Sequence, residues 1–216
     1  MTQVVQLGKF GLDGLRPAQR SLADPGPGQV RVRVGAVSLN YRDLMMVLGL
    51  YNPRQALPLI PCSDGAGKVV AVGAGVTVWR PGDRVMSVFA QDWLDGEVDS
   101  RCGRRTLGGP LDGMLAEEVI LPDTGLVRSP DSLTDAQVAC LPCAGVTAWH
   151  ALVAQGGIQS GDTVLVIGTG GVSLFALQIA RAHGAQVIVV SRSEEKLARA
   201  KALGAYAGIN SGTTPA

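Results

Sequence analysis

The chain has 216 residues, and its 19 basic and 18 acidic side chains give a formal net charge of +1, which argues against nucleic acid or an anionic membrane surface as a partner. Four cysteines in a chain of this length, with no charged and apolar leader in residues 1–10, argue against a secreted disulfide scaffold and indicate the cytoplasm. The longest apolar runs, residues 163–167 and 186–190, are far shorter than the ~20 residues of a membrane span, so we expect no membrane segment.

The first part of the chain has the pattern of strands and turns. Residues 29–39 alternate apolar and polar side chains, as in Val30, Arg31 and Val32, which predicts a strand with one buried face. The segments between the β-rich runs are rich in glycine and proline, which favours turns. We predict further strands over residues 68–72, 83–89 and 115–121, a helix over residues 41–48 and a long loop over residues 91–110.

Near residue 130 the pattern changes to helices and then to an alternation of strands and helices. We predict helices over residues 134–141, 145–154, 172–183 and 193–203, and strands over residues 163–167, 186–190 and 206–209. Strands that are apolar on both faces are typical of a parallel sheet covered by helices. The sequence therefore predicts a β-rich domain of residues 1–130 and an α/β domain of residues 131–216.

A glycine-rich turn follows the first strand of the α/β region directly. It has the form GxGxxG with serine in the last place, Gly168-Thr169-Gly170-Gly171-Val172-Ser173, and it leads into a predicted helix. A glycine at the first position allows the sharp turn, and a glycine at the second lets the backbone approach a pyrophosphate at the helix N-terminus. The alternative is a tight turn that binds nothing, and Ser173 favours it because the third glycine normally permits close helix packing.

The end of the next strand indicates which dinucleotide to expect. An NAD site places Asp or Glu there for the ribose hydroxyls, whereas this chain has Ser191-Arg192-Ser193, with Lys196 close behind. Hydroxyls and cations suit a 2′-phosphate through charge-assisted hydrogen bonds, so we predict NADP(H) bound by Ser191, Arg192 and Lys196. The same segment also has the composition of a helix start with Ser193 as N-cap, and the two interpretations are compatible.

Five further motifs occur along the chain in a fixed order. They are Ser38-Leu39-Asn40-Tyr41-Arg42-Asp43, Gly49-Leu50-Tyr51, Pro61-Cys62-Ser63-Asp64-Gly65-Ala66-Gly67, Pro81-Gly82-Asp83-Arg84-Val85 and Leu141-Pro142-Cys143-Ala144-Gly145-Val146-Thr147-Ala148-Trp149. Together with the glycine turn they resemble the medium-chain dehydrogenase/reductase superfamily, specifically its zinc-independent quinone oxidoreductase-like branch. The resemblance implies a GroES-like β-barrel catalytic domain followed by a Rossmann domain, with the nicotinamide in the cleft between them.

The resemblance also assigns roles to individual residues. Zinc-dependent relatives hold the metal with a Cys, a His and a Cys, and this chain has Asn40, Ser63 and Cys143 at those positions, so we expect no metal. Hydride transfer then needs a hydrogen-bond donor at the substrate oxygen. By resemblance Tyr51 is that donor, Asn40 orients the oxygen or the ribose, and Thr147 contacts the nicotinamide; a loop tyrosine and an ordinary helix threonine are the structural alternatives.

The α/β region contains only one strand–helix–strand–helix–strand half of a doubly wound domain, so we expect a partial Rossmann domain. Its open sheet edge is expected to need cover from a second copy, as in a homodimer, or from another partner. The predicted function is hydride transfer between NADP(H) and a quinone, enone or small carbonyl or alcohol substrate without zinc. The alternatives are an alcohol dehydrogenase-like enzyme and a truncated, non-catalytic nucleotide-binding or structural member of the family.

Overall fold

The computed structural model describes residues 1–97 and 105–213. Contacts between residues divide the chain into two compact units, Met1–Cys143 and Ala144–Ala216. The first unit contains a two-stranded antiparallel sheet of order β1-β2 and a five-stranded antiparallel sheet of order β6-β3-β4-β5-β7. Its elements are β1 (Thr2–Leu7), β2 (Leu15–Arg20), β3 (Gln29–Ser38), α1 (Tyr41–Val47), β4 (Asp64–Val72), β5 (Arg84–Ser87), β6 (Glu118–Pro122), β7 (Leu126–Arg128) and α2 (Asp135–Val138).

The alternation predicted for residues 29–39 is confirmed in β3. Val30 and Val32 are fully buried in the core of the five-stranded sheet, whereas Arg33 points outward and pairs with Glu118 on β6 at 3.0 Å. The strands predicted over residues 68–72, 83–89 and 115–121 are present with shifted ends, and β1, β2 and β7 were not predicted. Of the predicted loop over residues 91–110, residues 98–104 lie outside the described chain, and the described remainder has no named helix or strand.

The helix predicted over residues 41–48 is confirmed as α1. Asn40 precedes it with extended backbone angles, and its N–H donates to the carboxylate of Asp43 at 2.8 Å, which satisfies one donor at the helix start. The helix ends at Val47, and Gly49, just after the C-cap Leu48, adopts a φ of 72° that favours glycine. The loop that carries Tyr51 follows immediately.

The first unit extends past the change of sequence pattern near residue 130, because α2 packs on the five-stranded sheet. Thr134 caps α2 by accepting a hydrogen bond from the Gln137 N–H at 3.3 Å. Asp135 forms an ion pair with Arg84 of β5 at 2.6 Å, and Val138 is fully buried against Ala66 of β4. These contacts attach residues 135–139 to the β-rich unit.

The two helices predicted over residues 134–141 and 145–154 form one helical stretch, Asp135–Gln155, with π-type turns at Leu141–Gly145 and His150–Gln155. The stretch has 21 residues and a mean hydropathy of 1.3 in its most apolar window, so by length and composition it could cross a membrane. The sequence analysis did not predict a helix of this length and hydropathy, because small residues and isolated polar side chains interrupt the apolar run. A core helix of a water-soluble protein passes the same test, so this single helix is weak evidence for a span.

The second unit is built as the sequence predicts, from strands that alternate with helices in a parallel sheet of order β10-β9-β8. On one face of the middle strand Val187 and Val189 are buried, with Leu177 and Leu197 in the same core, and on the other face Ile188 and Val190 are half-buried. Its elements are α3 (Val146–Trp149), β8 (Thr163–Ile167), α4 (Gly171–Ala182), β9 (Gln186–Ser191), α5 (Glu194–Ala202) and β10 (Ala207–Asn210).

One face of β8 is largely exposed in the described part of the chain. Leu165 is 57% exposed and Ile167 is 78% exposed. Among the described residues β8 pairs only with β9, so it forms an edge of the sheet. An apolar run alone does not distinguish a central strand from an edge strand, because both have the same composition.

Candidate functional site

The glycine turn predicted at residue 168 joins β8 to α4, as the motif requires. Gly168 has a φ of 93°, in the region that favours glycine, and Gly170 is the N-cap of α4 without a side-chain hydrogen bond. A Cβ built at Gly170 meets no atom within 4 Å, so the backbone there faces open space. The first turn of α4 has no acidic residue. The helix N-terminus therefore presents amide groups and the positive end of its dipole to an accessible surface.

Ser173 occupies the place of the third glycine without opening the turn. Its hydroxyl donates to the carbonyl oxygen of Ile167, the last residue of β8, at 3.2 Å. The side chain thus ties the first turn of α4 back to the end of the strand. The third glycine of the motif normally permits close packing of the helix on the strand. Because Ser173 keeps α4 bonded to the end of β8, its presence does not favour a turn that binds nothing.

A groove of about 640 Å³ begins at this turn and extends along the carboxyl ends of the strands. Its lining contains two cations and four hydroxyl side chains and, among the described residues, no carboxylate. The lining residues are Ile167, Gly168, Thr169, Val190, Ser191, Arg192, Ser193, Lys196 and Ser211.

The groove brings together five of the predicted cofactor residues: Gly168, Thr169, Ser191, Arg192 and Lys196. The predicted residues Gly170, Gly171 and Val172 do not line it; they form the N-terminus of α4 beside it. Thr147 also lies outside the lining, exposed on α3, which packs against α4. Ser211 was missed by the sequence analysis, although it follows β10 and the carboxyl ends of parallel strands meet at one edge.

Helix capping and groove lining occur together at the start of α5. Ser193 is the N-cap, and its hydroxyl accepts a hydrogen bond from the Lys196 N–H at 3.4 Å, so the capping interpretation is confirmed. The carboxylates of the first turn are engaged elsewhere, because Glu195 pairs with Arg199 at 2.6 Å and Glu194 accepts from Asn210 at 2.5 Å. Within residues 1–97 and 105–213, neither cation of the groove forms an ion pair, so both are available to an anion.

A second polar cluster lies in the first unit, where α1 begins beside the start of β4. Asp64 is fully buried and accepts hydrogen bonds from the Ser63 hydroxyl at 2.7 Å and from the Cys143 N–H at 2.9 Å. Burial raises the pKa of Asp64, and its hydrogen-bonding neighbours, including the Asn40 amide, oppose the rise. Among the described residues Asn40 Nδ2 is buried and has no hydrogen bond of good geometry. The Asn40 amide therefore faces the Asp64 carboxylate without a well-formed hydrogen bond.

Asp43 connects this cluster to a buried arginine. Its carboxylate accepts from the Asn40 N–H at 2.8 Å and lies 3.5 Å from Nη1 of Arg42. Burial raises the pKa of Asp43, while the hydrogen bond from the backbone N–H of Asn40 and the charge of Arg42 oppose the rise. The Arg42 guanidinium lies 5.0 Å from the centroid of the Tyr51 ring, and Tyr51 is 54% exposed. Asn40 and Tyr51, the two predicted catalytic residues, are thus linked through Arg42 and Asp43.

Two family profiles match the chain. The alcohol dehydrogenase GroES-like domain matches residues 26–131, and the zinc-binding dehydrogenase domain matches residues 171–216. A zinc-type alcohol dehydrogenase-like protein of Schizosaccharomyces pombe is 44% identical over 208 residues, which are 95% of this chain and 60% of that protein.

Two solved structures have the same fold. A crystal structure from Sinorhizobium meliloti 1021, provisionally named an alcohol dehydrogenase, is 47% identical with a TM-score of 0.90, and an NAD-dependent alcohol dehydrogenase is 38% identical with a TM-score of 0.91. In both cases the match covers 99% of this chain and 64% of the other. The chain belongs to the medium-chain dehydrogenase/reductase superfamily. Its first unit has the GroES-like fold and its second a Rossmann-like parallel sheet, as the resemblance implied.

Members of this superfamily are oxidoreductases that bind nicotinamide cofactors, and the second unit fits such a dinucleotide. The open backbone at Gly170 and the N-terminus of α4 suit a pyrophosphate, because N–H groups and the helix dipole favour negative charge there. The groove continues from that point to the end of β9, where superfamily members with this fold hold the adenosine ribose.

A catalytic zinc ion fits the first unit poorly. The three positions that correspond to the ligands carry the amide of Asn40, the hydroxyl of Ser63, which donates to Asp64, and the thiol of Cys143. Of these three side chains only the thiol of Cys143 is an ordinary zinc ligand, and a zinc site needs at least three. The described part of the chain has no group of three or more His, Cys, Asp or Glu side chains placed to hold a metal.

Proposed function

We propose that this protein transfers a hydride between NADP(H) and a quinone, enone or small carbonyl or alcohol substrate, without a metal ion. The observation that carries the proposal is the groove of the second unit, which joins the glycine turn to Arg192 and Lys196 and whose described lining has no carboxylate. A 2′-phosphate carries about two negative charges at neutral pH and suits such a lining, whereas an NAD site uses a carboxylate for the ribose. When bound, NADPH supplies the hydride.

The first unit supplies hydrogen-bond donors in place of a metal ion. In this proposal the Tyr51 hydroxyl donates to the substrate oxygen, where negative charge develops as the hydride arrives. Its half-exposed ring leaves that hydroxyl open to a substrate. Asn40, whose Nδ2 is buried beside the Asp64 carboxylate, orients the same oxygen or the ribose, as the family resemblance implies. Thr147 contacts the nicotinamide, as the family resemblance implies.

The direct test measures NADPH oxidation by the full chain with an enone, a quinone and an aldehyde in parallel, with product analysis to separate C=C from C=O reduction. We expect Tyr51→Phe to lower kcat about 100-fold, the usual range for loss of one oxyanion donor, with a small change in NADPH affinity. Tyr206→Phe is the matched control, because Tyr206 is 69% exposed and lies outside the groove lining. Wild-type turnover in Tyr51→Phe would refute the role of this hydroxyl.

The second candidate is an NAD-dependent alcohol dehydrogenase, which the likeness to the solved enzyme of that name favours. It predicts tighter binding of NADH than of NADPH and oxidation of alcohols. A non-catalytic member of the family predicts NADPH binding without turnover for any of the three substrate classes.

We also propose that a second copy covers the exposed edge at β8, where Leu165 and Ile167 are apolar and open. An exposed apolar edge strand is a site of association. Sedimentation velocity of the chain should then show a dimer, and Leu165→Lys, a substitution outside the groove lining, should shift it to the monomer. A monomer in the unmodified chain would refute this arrangement.

A further inference from the structure

Among the cations that form ion pairs in the described part of the chain, Arg42 is the most deeply buried. Its side chain is only 9% exposed, and it lies on α1 in the cluster that contains both predicted catalytic residues. A buried guanidinium is costly to desolvate unless its surroundings compensate for the lost water. The contacts of the Arg42 side chain therefore indicate which groups compensate for its burial.

Two backbone carbonyl groups fix the orientation of the guanidinium. Nη1 donates to the carbonyl oxygen of Leu107 at 2.8 Å, and Nη2 donates to that of Gly109 at 3.2 Å. Aromatic rings provide further contacts, because the guanidinium carbon lies 5.0 Å from the ring centroid of Tyr51 and 5.1 Å from that of Phe89. Both distances are within the range of cation–π attraction. The group is thus a rigid platform against which the Tyr51 ring rests.

Tyr51 is a half-exposed residue with an anchored backbone. It lies in the loop after α1, its side chain is 54% exposed, and its N–H donates to the Met45 carbonyl oxygen at 3.1 Å. The backbone is anchored by that bond, whereas the ring direction depends on what it packs against. The guanidinium of Arg42 packs against this ring.

The same guanidinium reaches Asn40 through one carboxylate. Nη1 lies 3.5 Å from Oδ1 of Asp43, and Oδ2 of Asp43 accepts from the Asn40 N–H at 2.8 Å. A carboxylate held between two donors cannot turn without losing one of them. The position of Arg42 is therefore coupled to the residue at the start of α1 as well as to the Tyr51 ring.

We propose that Arg42 is a positioning residue that fixes Tyr51 and, through Asp43, Asn40 in the geometry needed to polarise the substrate. This inference rests on the proposed role of Tyr51. A merely structural arginine would lower stability when removed but would not change the orientation of the Tyr51 ring or lower kcat selectively. Arg128 is the matched control, because it also lies over an aromatic ring, that of Trp79 at 5.3 Å, and pairs with Asp83 instead of a predicted site residue.

The test compares Arg42→Met, Arg42→Lys and Arg128→Met in the full chain. Each variant is labelled with 3-fluorotyrosine for ¹⁹F NMR, and the Tyr51 signal is assigned by its loss in Tyr51→Phe. For Arg42→Met we expect the signal to sharpen and move toward that of a freely exposed tyrosine, and kcat to fall roughly 10- to 100-fold. The Kd for NADPH should stay within about twofold, because the groove residues are untouched. Arg42→Lys should restore part of both losses, and Arg128→Met should change neither the signal nor kcat.

Several results would overturn the proposal. An unchanged Tyr51 signal in folded Arg42→Met would show that the guanidinium does not fix the ring, and equal losses of kcat in Arg42→Met and Arg128→Met would show a general structural effect. If Arg42→Met does not fold, the double variant Arg42→Met/Asp43→Asn removes both buried charges, and the same two readouts then decide. If the unmodified chain has no turnover, or Tyr51→Phe keeps it, the proposed role of Tyr51 fails, and the fluorine signal alone decides whether Arg42 fixes the ring.

Discussion

Replacing Arg192 with alanine should weaken NADPH binding and leave NADH binding nearly unchanged. Arg192 and Lys196 are the two cations of the groove, so alanine removes one of the charges that face a 2′-phosphate. A hydrogen bond to a charged group contributes about 1.5–3 kcal/mol, but Arg192 is exposed and solvent screens its charge. We therefore expect a loss of about 1–2 kcal/mol, which raises the Kd for NADPH about 5- to 30-fold.

The assay is titration of both cofactors by quenching of tryptophan fluorescence, in low and in high salt. NADH lacks the phosphate, so its Kd should change by less than about twofold. The selectivity should shrink as salt rises, because the Debye length falls from about 10 Å at 0.1 M to about 3 Å at 1 M. Arg199→Ala is the control on the same helix, since Arg199 pairs with Glu195 and lies outside the groove lining. Equal losses for NADPH and NADH in Arg192→Ala, or the same selective loss in Arg199→Ala, would refute the assignment of the phosphate site.

Three further predictions concern the glycine turn, the buried carboxylate and the metal. Gly170→Val should lower Tm only modestly, because its Cβ enters open space but valine is a poorer N-cap than glycine. It should weaken NADPH binding about tenfold or more, because the side chain fills the place of the pyrophosphate, and unchanged binding would contradict this. Burial raises the pKa of Asp64, so its contribution to stability is present below its unfolded pKa of about 3.9 and is lost as pH rises through the raised value. Asp64→Asn should therefore show a smaller fall in the free energy of urea unfolding from about pH 4 to neutrality than the unmodified chain, and equal slopes would count against it. Dialysis against EDTA should leave turnover intact, whereas one zinc ion per chain, or activity restored by zinc, would contradict the metal-free proposal.

The elements that the sequence predicts correctly are those whose pattern is local. The valine alternation of β3, the Ser193 cap of α5 and the positive φ of Gly168 each depend on a few neighbouring residues, and the structure confirms all three. The order of strand, glycine turn and helix follows from the same kind of local evidence. The position of the groove at the glycine turn was therefore predictable in large part from the sequence.

The features that the sequence does not predict depend on distant contacts. The role of Arg42 is set by the carbonyl groups of Leu107 and Gly109, which are 65 and 67 residues away along the chain. Strand β1 is recognisable only once its partners are known, because the Val5 N–H donates to the Leu115 carbonyl oxygen at 3.0 Å, far along the chain. The position of Asp64 beside the Cys143 amide is another such contact. The motif of residues 61–67 contains the Ser63 hydroxyl and the Asp64 carboxylate side by side. A buried carboxylate needs hydrogen-bond donors, so this motif was a signal that a distant segment packs against it.

The central claim, that the groove between the glycine turn and the start of α5 holds the phosphates of NADPH, is tested most directly by ¹⁵N–¹H NMR during titration with NADPH. The amides of Gly168, Gly170 and Gly171 should shift in a saturable way, together with those of Ser191 and Arg192, because the first three surround the start of α4 and the last two line the far part of the groove. Saturable binding that leaves these amides unmoved, or no saturable shift anywhere in the spectrum, would contradict the account.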